Sequence, residues 1–200
     1  MAGGDLGSWD PMSPDEAAVV FGDLAAPWWV AGGWAIDLLV GRQTRVHDDL
    51  DILILRRDQD QVRQQLEGWD VWAADPPGTL RPWPTGEILP GHVHDVWCRR
   101  HPDAPWTVQL MIDDTDGDDW RYRRDPTIRR PIRSLAGRAS TPGRPVLAPD
   151  VQLLAKSKAA RPKDEADFDA VRALLSPEER SWLRASLEHT AADHPWIPQL

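Results

Sequence analysis

Only one cysteine, Cys98, occurs in the 200 residues, so an intramolecular disulfide is ruled out. No apolar run is long enough to span a bilayer and no secretory leader is present, which together predict a cytoplasmic protein. A basic excess is missing as well. The net charge of −9 argues against general attraction to nucleic acid or an anionic membrane, and suits a small cationic partner better. No GxGxxG occurs, and the glycines at 32 and 33 are not followed by a Walker lysine, which removes the dinucleotide and P-loop classes. Cys98 has no motif that would support a catalytic thiol. His92 and His94 share a strand face without a third ligand, a weak zinc signal. The acidic run DDTDGDD at 113–119 has Ile112 where a calcium loop needs an acid, so it reads as a solvated turn whose acidic rim would attract an amine. Phenylalanine and tyrosine number two and one, and the 12 tryptophans take over the aromatic packing.

What is present is concentrated in residues 29–55, WVAGGWAIDLLVGRQTRVHDDLDILIL, which reads as strand, glycine turn, helix and acid-tipped strand. Period-2 alternation puts Asp49 and Asp51 on one face, with Cα atoms about 7 Å apart. The residues that follow are apolar on both faces, as in a buried strand. Two like charges there call for a cation, and hard oxygen donors favour magnesium held together with substrate phosphates. Gly32 and Gly33 permit a tight turn, and a helix beginning near Trp34 would aim free N–H groups at an anion. Arg42 and Arg45 in the next loop either touch phosphate or screen the aspartates. Trp34 either stacks on a base or anchors its helix.

GGWAID, GRQTR and HDDLDI together resemble the nucleotidyltransferase fold, and most closely the aminoglycoside 2″-adenylyltransferase type of enzyme. The resemblance is dense over 29–55 and returns more weakly in KSKAARPKDEADF at 156–168. It implies an α/β (α+β) polymerase-beta-like domain with a mixed sheet flanked by helices and a small C-terminal helical region. It also implies that Gly32 and Gly33 hold a triphosphate, that Asp49 and Asp51 hold Mg2+, and that Lys163, with Lys156, contacts phosphate. Arg45 and Trp34 join that nucleotide-binding set. The donor implied is ATP or another NTP, and the reaction is transfer of a nucleoside monophosphate to a hydroxyl of a small, cationic acceptor. Such enzymes carry a third carboxylate on a later strand. In WTVQLMI the candidate for that place is Gln109, with Asp113 four residues on as the acid that would reach in as base, so a weakened or differently based centre is expected. The alternatives are a nucleotide-binding, weakly active or inactive protein that acts as an antitoxin-like or regulatory partner, and modification of a protein side chain.

Residues 1–12 are expected to be disordered, 13–147 to form the nucleotidyltransferase domain and 148–194 the helical region. Ser13 and Glu16 make a capping box, Asp58 reads as a helix N-cap, and Ser176 and Glu179 make a second box. The Pro- and Gly-rich run 75–91 reads as a long loop able to wall a substrate cleft. Pro162 is expected to break the preceding helix and Asp164 to cap the next.

Overall fold

A computed structural model describes residues 7–200. Its elements are α1 (Pro14–Phe21), β1 (Trp28–Val30), α2 (Gly32–Val40), β2 (Asp51–Leu55), α3 (Gln59–Gln65), β3 (Asp70–Ala74), β4 (Leu80–Pro82), β5 (Asp95–Arg99) and β6 (Val108–Asp113). They continue with β7 (Thr115–Asp116), β8 (Asp119–Arg121), β9 (Arg129–Pro131), α4 (Pro149–Ser157), α5 (Pro162–Val171) and α6 (Pro177–Thr190). Six strands form a mixed sheet in the order β1-β2-β6-β5-β3-β4, in which β2 and β6 are parallel and the other pairs antiparallel. A small sheet, β7-β8-β9, extends from the end of β6. This is the expected mixed α+β architecture with helices on the sheet.

The doubly apolar β2 explains the layering. Ile52 and Ile54 join a core with Ala17 and Phe21 of α1, Val62 of α3 and Leu66 just after it, whereas Leu53 and Leu55 join a second core with Leu153 and Leu154 of α4, Phe168 of α5 and Leu183 of α6. The sheet is thus buried on both faces, and the C-terminal helices cover the face that bears the acids. Helix starts follow the capping chemistry: Ser13 Oγ accepts the Glu16 N–H at 3.2 Å while the Glu16 carboxylate accepts the Ser13 N–H at 2.7 Å, and Ser176 with Glu179 repeats the pattern. Gly41 ends α2 at φ 79°, as its C-cap role requires.

Several local expectations need correction. Residues 1–6 lie outside the described residues, but the rest of the expected disordered segment is held: the Asp10 N–H donates to the Trp106 carbonyl, the Met12 N–H donates to the Thr107 carbonyl, and Met12 is buried. The run 75–91 contains a strand, β4, on the outer edge of the sheet, where Pro82 needs no ladder partner for its missing N–H. Asp58 makes no side-chain cap, because a 3-10 turn over Arg56–Asp58 leads directly into α3. Pro162 starts α5 at its first position, and Asp164 sits at N3, reaching back to the Arg161 N–H at 3.1 Å. The tail closes on the helices: Trp196 is buried and stacks on Phe168 with ring centroids 4.3 Å apart.

Candidate active site

The turn between β1 and α2 is built around two positions that tolerate no side chain. Gly32 has φ +63°, and a Cβ there would lie 2.2 Å from Asp51 Oδ2; a Cβ on Gly33 would lie 2.3 Å from Arg45 Nη2 and 2.4 Å from His47 Nδ1. The turn is tied on both sides, since the Ala31 N–H donates to the Asp51 carbonyl at 2.8 Å and the Gly32 N–H to Oε1 of buried Gln152 on α4 at 2.8 Å. No side chain caps α2. The Ala35 N–H donates to the Ala31 carbonyl at 3.2 Å, and the Gly33 and Trp34 N–H groups have no intrahelical acceptor, which leaves an anion-seeking helix start beside Asp51.

Asp51 opens β2 directly across from Gln109 of β6, so the strand placement expected from sequence holds. One strand further on, Asp95 opens β5 opposite Met111, on the same sheet face as Gln109, and Gln109 Nε2 donates to Asp95 Oδ1 at 3.1 Å. Burial pushes the Asp51 carboxyl up to about 7; Asp49 and Asp95 add to the rise and Lys156 and Lys163 oppose it. Asp49, half-buried, lies two residues before β2. Asp51 is therefore flanked by Asp49 on its own chain segment and by Asp95 two strands away. Among the described residues no three His, Cys, Asp or Glu side chains converge into a ready-made cage. The donor set is hard oxygen throughout, and a raised Asp51 is what an uncompensated like-charge group produces. These residues fit a magnesium ion that keeps waters and takes part of its shell from phosphate, as that ion usually does.

Cations approach from the helical side. Lys163, in the first turn of α5, is half-buried, acts on Asp51, and among the described residues has no carboxylate within ion-pair distance. Lys156 differs from the expectation of a phosphate contact: its Nζ lies 2.8 Å from Asp167 and 3.2 Å from Asp164, and its side chain is 9% exposed. Arg45 covers the turn from the other side, with Nη2 at 3.4 Å from Asp167. Burial works to raise Asp164, but bonds from Arg161 and Lys156 outweigh it and hold the carboxyl down to about 2. Under the turn, Asp37 accepts from the Thr44 N–H at 3.0 Å and lies 2.5 Å from His47 Nε2; burial would raise this carboxyl, and the Thr44 and His47 bonds hold it below the usual range.

Asp113 is placed differently from expectation, Trp34 takes one of the two roles open to it, and Cys98 stays without a catalytic role. Asp113 pairs with Leu55, four residues along the strand from the Asp51–Gln109 pair, which at about 3.3 Å per residue is some 13 Å away. It is buried and accepts the Trp120 indole N–H at 2.8 Å, so it does not supply the missing acid. Trp34 packs on His47 with ring centroids 4.7 Å apart and on the core below, which makes it an anchor of α2. Cys98 is buried, and burial pushes its thiol pKa up, so it is no nucleophile. Sequence reasoning missed Asp95. The signal was the alternation in DVWCR, where Val96 and Cys98 face the core and leave Asp95 and Trp97 on the other face.

The fold and the order of these groups define a nucleotidyltransferase fold. A solved lincosamide antibiotic adenylyltransferase with lincomycin bound superimposes at a TM-score of 0.55 with 18% identity, covering 83% of this chain and all of that one. The solution structure of the antibiotic-resistance factor ANT(2″)-Ia superimposes at 0.54 with 18% identity, covering 90% of this chain and 91% of that one. Within this class the chain resembles the aminoglycoside-2″-adenylyltransferase family, whose model matches residues 17–73. A 2″-aminoglycoside nucleotidyltransferase of Klebsiella pneumoniae is 62% identical over 41 residues, and the match covers 20% of this chain and 23% of that relative. The matched segment thus spans less than a quarter of that relative's length.

Proposed function

We propose that the protein transfers a nucleoside monophosphate, AMP from ATP by default, to a hydroxyl of a small antibiotic-like acceptor. The observation that carries this reading is the order along one sheet face: phosphate turn after β1, Asp51 on β2, Gln109 on β6, Asp95 on β5. In it, the N–H groups of α2 and the Lys163 ammonium take the β- and γ-phosphates, with Arg45 beside the turn. Asp49, Asp51 and Asp95 would hold magnesium, which when bound neutralises charge on the phosphates being cleaved. Asp95 lies on the side away from the turn, where an acceptor hydroxyl must approach in line with the departing pyrophosphate. As the new oxygen–phosphorus bond forms and the bond to the pyrophosphate oxygen breaks, the Asp95 carboxylate takes the hydroxyl proton. Gln109 orients that carboxylate through its amide N–H. With Asp95 available, a neutral Gln109 is no longer a reason to expect a weakened centre.

Calorimetry with a non-hydrolysable ATP analogue tests the reading. Binding by the wild type should require magnesium and should weaken about tenfold or more in both Asp51→Asn and Asp95→Asn, the scale of losing one charge-assisted contact. Metal-independent binding, unchanged in both variants, would contradict the assignment.

A further inference from the structure

Beside Asp95, on the side away from the phosphate turn, lies a cleft of about 370 Å³. Its floor is the end of β3 at Ala74, and the turn at Gly78 forms one wall, so part of the Pro- and Gly-rich run does border a cavity next to the site. The volume is at the lower end for small-molecule sites and suits one or two sugar-sized rings. Sheet order sets its role: the nucleotide turn, the acids and then this cleft follow one another across β1, β2, β6, β5 and β3.

The charges facing the cleft are unlike those expected for an amine-bearing acceptor. Arg123 and Arg124 both line it, and Asp95, assigned above to metal and proton transfer, is the only carboxylate residue among its lining. Arg123 Nη1 makes a long ion pair with that carboxylate at 3.9 Å. Arg124 spends Nη1 on the Tyr122 hydroxyl at 3.0 Å and the Ala155 carbonyl at 2.6 Å, and has no carboxylate within ion-pair distance among the described residues. His92 is paired with Asp75 at 2.9 Å, and His94 gives its Nδ1 hydrogen to the Ile112 carbonyl at 2.9 Å. No carboxylate of the acidic run at 113–119 lines the cleft. Asp113 is buried under Trp120, while Asp114 and Asp116 are paired with Arg56 and Arg129.

We infer that the acceptor is an anion: a hydroxylated molecule whose carboxylate or phosphate is held by Arg123 and Arg124 while its hydroxyl reaches Asp95. The guanidinium fork matches either oxyanion, and a polyamine would place ammonium groups against two like charges. This rests on the nucleotidyl-transfer reading above and narrows its substrate, replacing the cationic acceptor that the net charge suggested.

A matched hexose series tests it, with pyrophosphate release read from magnesium-ATP in the presence of glucose, glucosamine, glucuronate or glucose 6-phosphate, beside tobramycin and lincomycin. The expected kcat/KM for glucuronate or glucose 6-phosphate is about tenfold or more above that for glucose, as one charge-assisted hydrogen bond supplies, with glucosamine and tobramycin at or below glucose. The carboxylate and phosphate arms tell the two anions apart. Arg123→Gln and Arg124→Gln should each reduce the advantage of the anion through KM, while its ratio to glucose collapses toward one. An enzyme that binds magnesium-ATP yet prefers tobramycin or glucosamine, ranks the series without regard to charge, or ignores both anions overturns this inference alone. Failure to bind magnesium-ATP overturns the transfer reading and takes this inference with it.

Discussion

The Asp51 carboxyl carries the largest electrostatic cost at the site. Its folded pKa, about 7, lies above the ordinary 3.8, so folding takes up a proton between those values and stability falls as pH rises through that window. Above pH 7 the cost is at most about 4 kcal/mol. Asp51→Asn should therefore raise the melting temperature of the nucleotide-free protein by several degrees at pH 8 and much less at pH 5, while destroying transfer. A melting temperature unchanged or lowered at pH 8 would show that Asp51 is not strained by burial. Lys163 supplies the complementary charge: Lys163→Ala should weaken ATP more than AMP, because the phosphates it neutralises are those AMP lacks. Equal losses for both nucleotides, measured by calorimetry, would remove it from the triphosphate site. Asp113→Asn keeps an acceptor for the Trp120 indole and should leave the transfer rate within about twofold of wild type, a span small beside the losses that catalytic acids and bases produce. Alternation revealed the face on which Gln109 and Asp113 stand, but it is blind to distance along the strand. Only the register with β2 and β5 shows that Asp113 is remote and that Asp95 stands on the same face two strands from Asp51.

Among the elements, α5 links the helices to the site. Its first turn presents Lys163, and its N3 residue Asp164 closes the helix end while receiving Lys156 and Arg161. Asp164 is nearly inaccessible, and its folded pKa of about 2 lies below the ordinary 3.8. A depressed carboxyl contributes stability that is complete above the unfolded value and lost as pH falls through the folded one. The contribution is on the order of 2 kcal/mol. Urea midpoints should accordingly fall more steeply between pH 4 and pH 2 in the wild type than in Asp164→Asn; parallel slopes would show that Asp164 is not held ionised by this network. Helices with capping boxes, at Ser13 and Ser176, were legible in the sequence because a cap is a contact within three residues. β4 was not, since Pro76, Pro77 and Gly78 precede it, Pro82 ends it, and its pairing with β3 is what makes it a strand. The role of Lys156 was illegible for a similar reason: Asp164 and Asp167 close on it only once α4 and α5 have packed.

At the scale of the whole molecule, a single sheet face brings together a phosphate turn, three carboxylates and a basic cleft, with α4 and α5 lying over the nucleotide end. The doubly apolar β2 and the order turn, helix, acidic strand sufficed to anticipate the class, because each depends on residues close in sequence. The net charge of −9 sums over the surface, whereas the cleft beside Asp95 is lined by Arg123 and Arg124, and it is on that local lining that we infer an anionic acceptor. The central claim is that the α-phosphate is the one transferred. It is tested most directly by supplying ATP labelled in either the α- or the γ-phosphate with magnesium and the hexose and antibiotic panel, and following where each label goes. The account predicts that α-label moves to an acceptor with stoichiometric release of γ-labelled pyrophosphate, and that Asp51→Asn and Asp95→Asn abolish both. Transfer of γ-label to the acceptor, or transfer that survives in both variants, would contradict it.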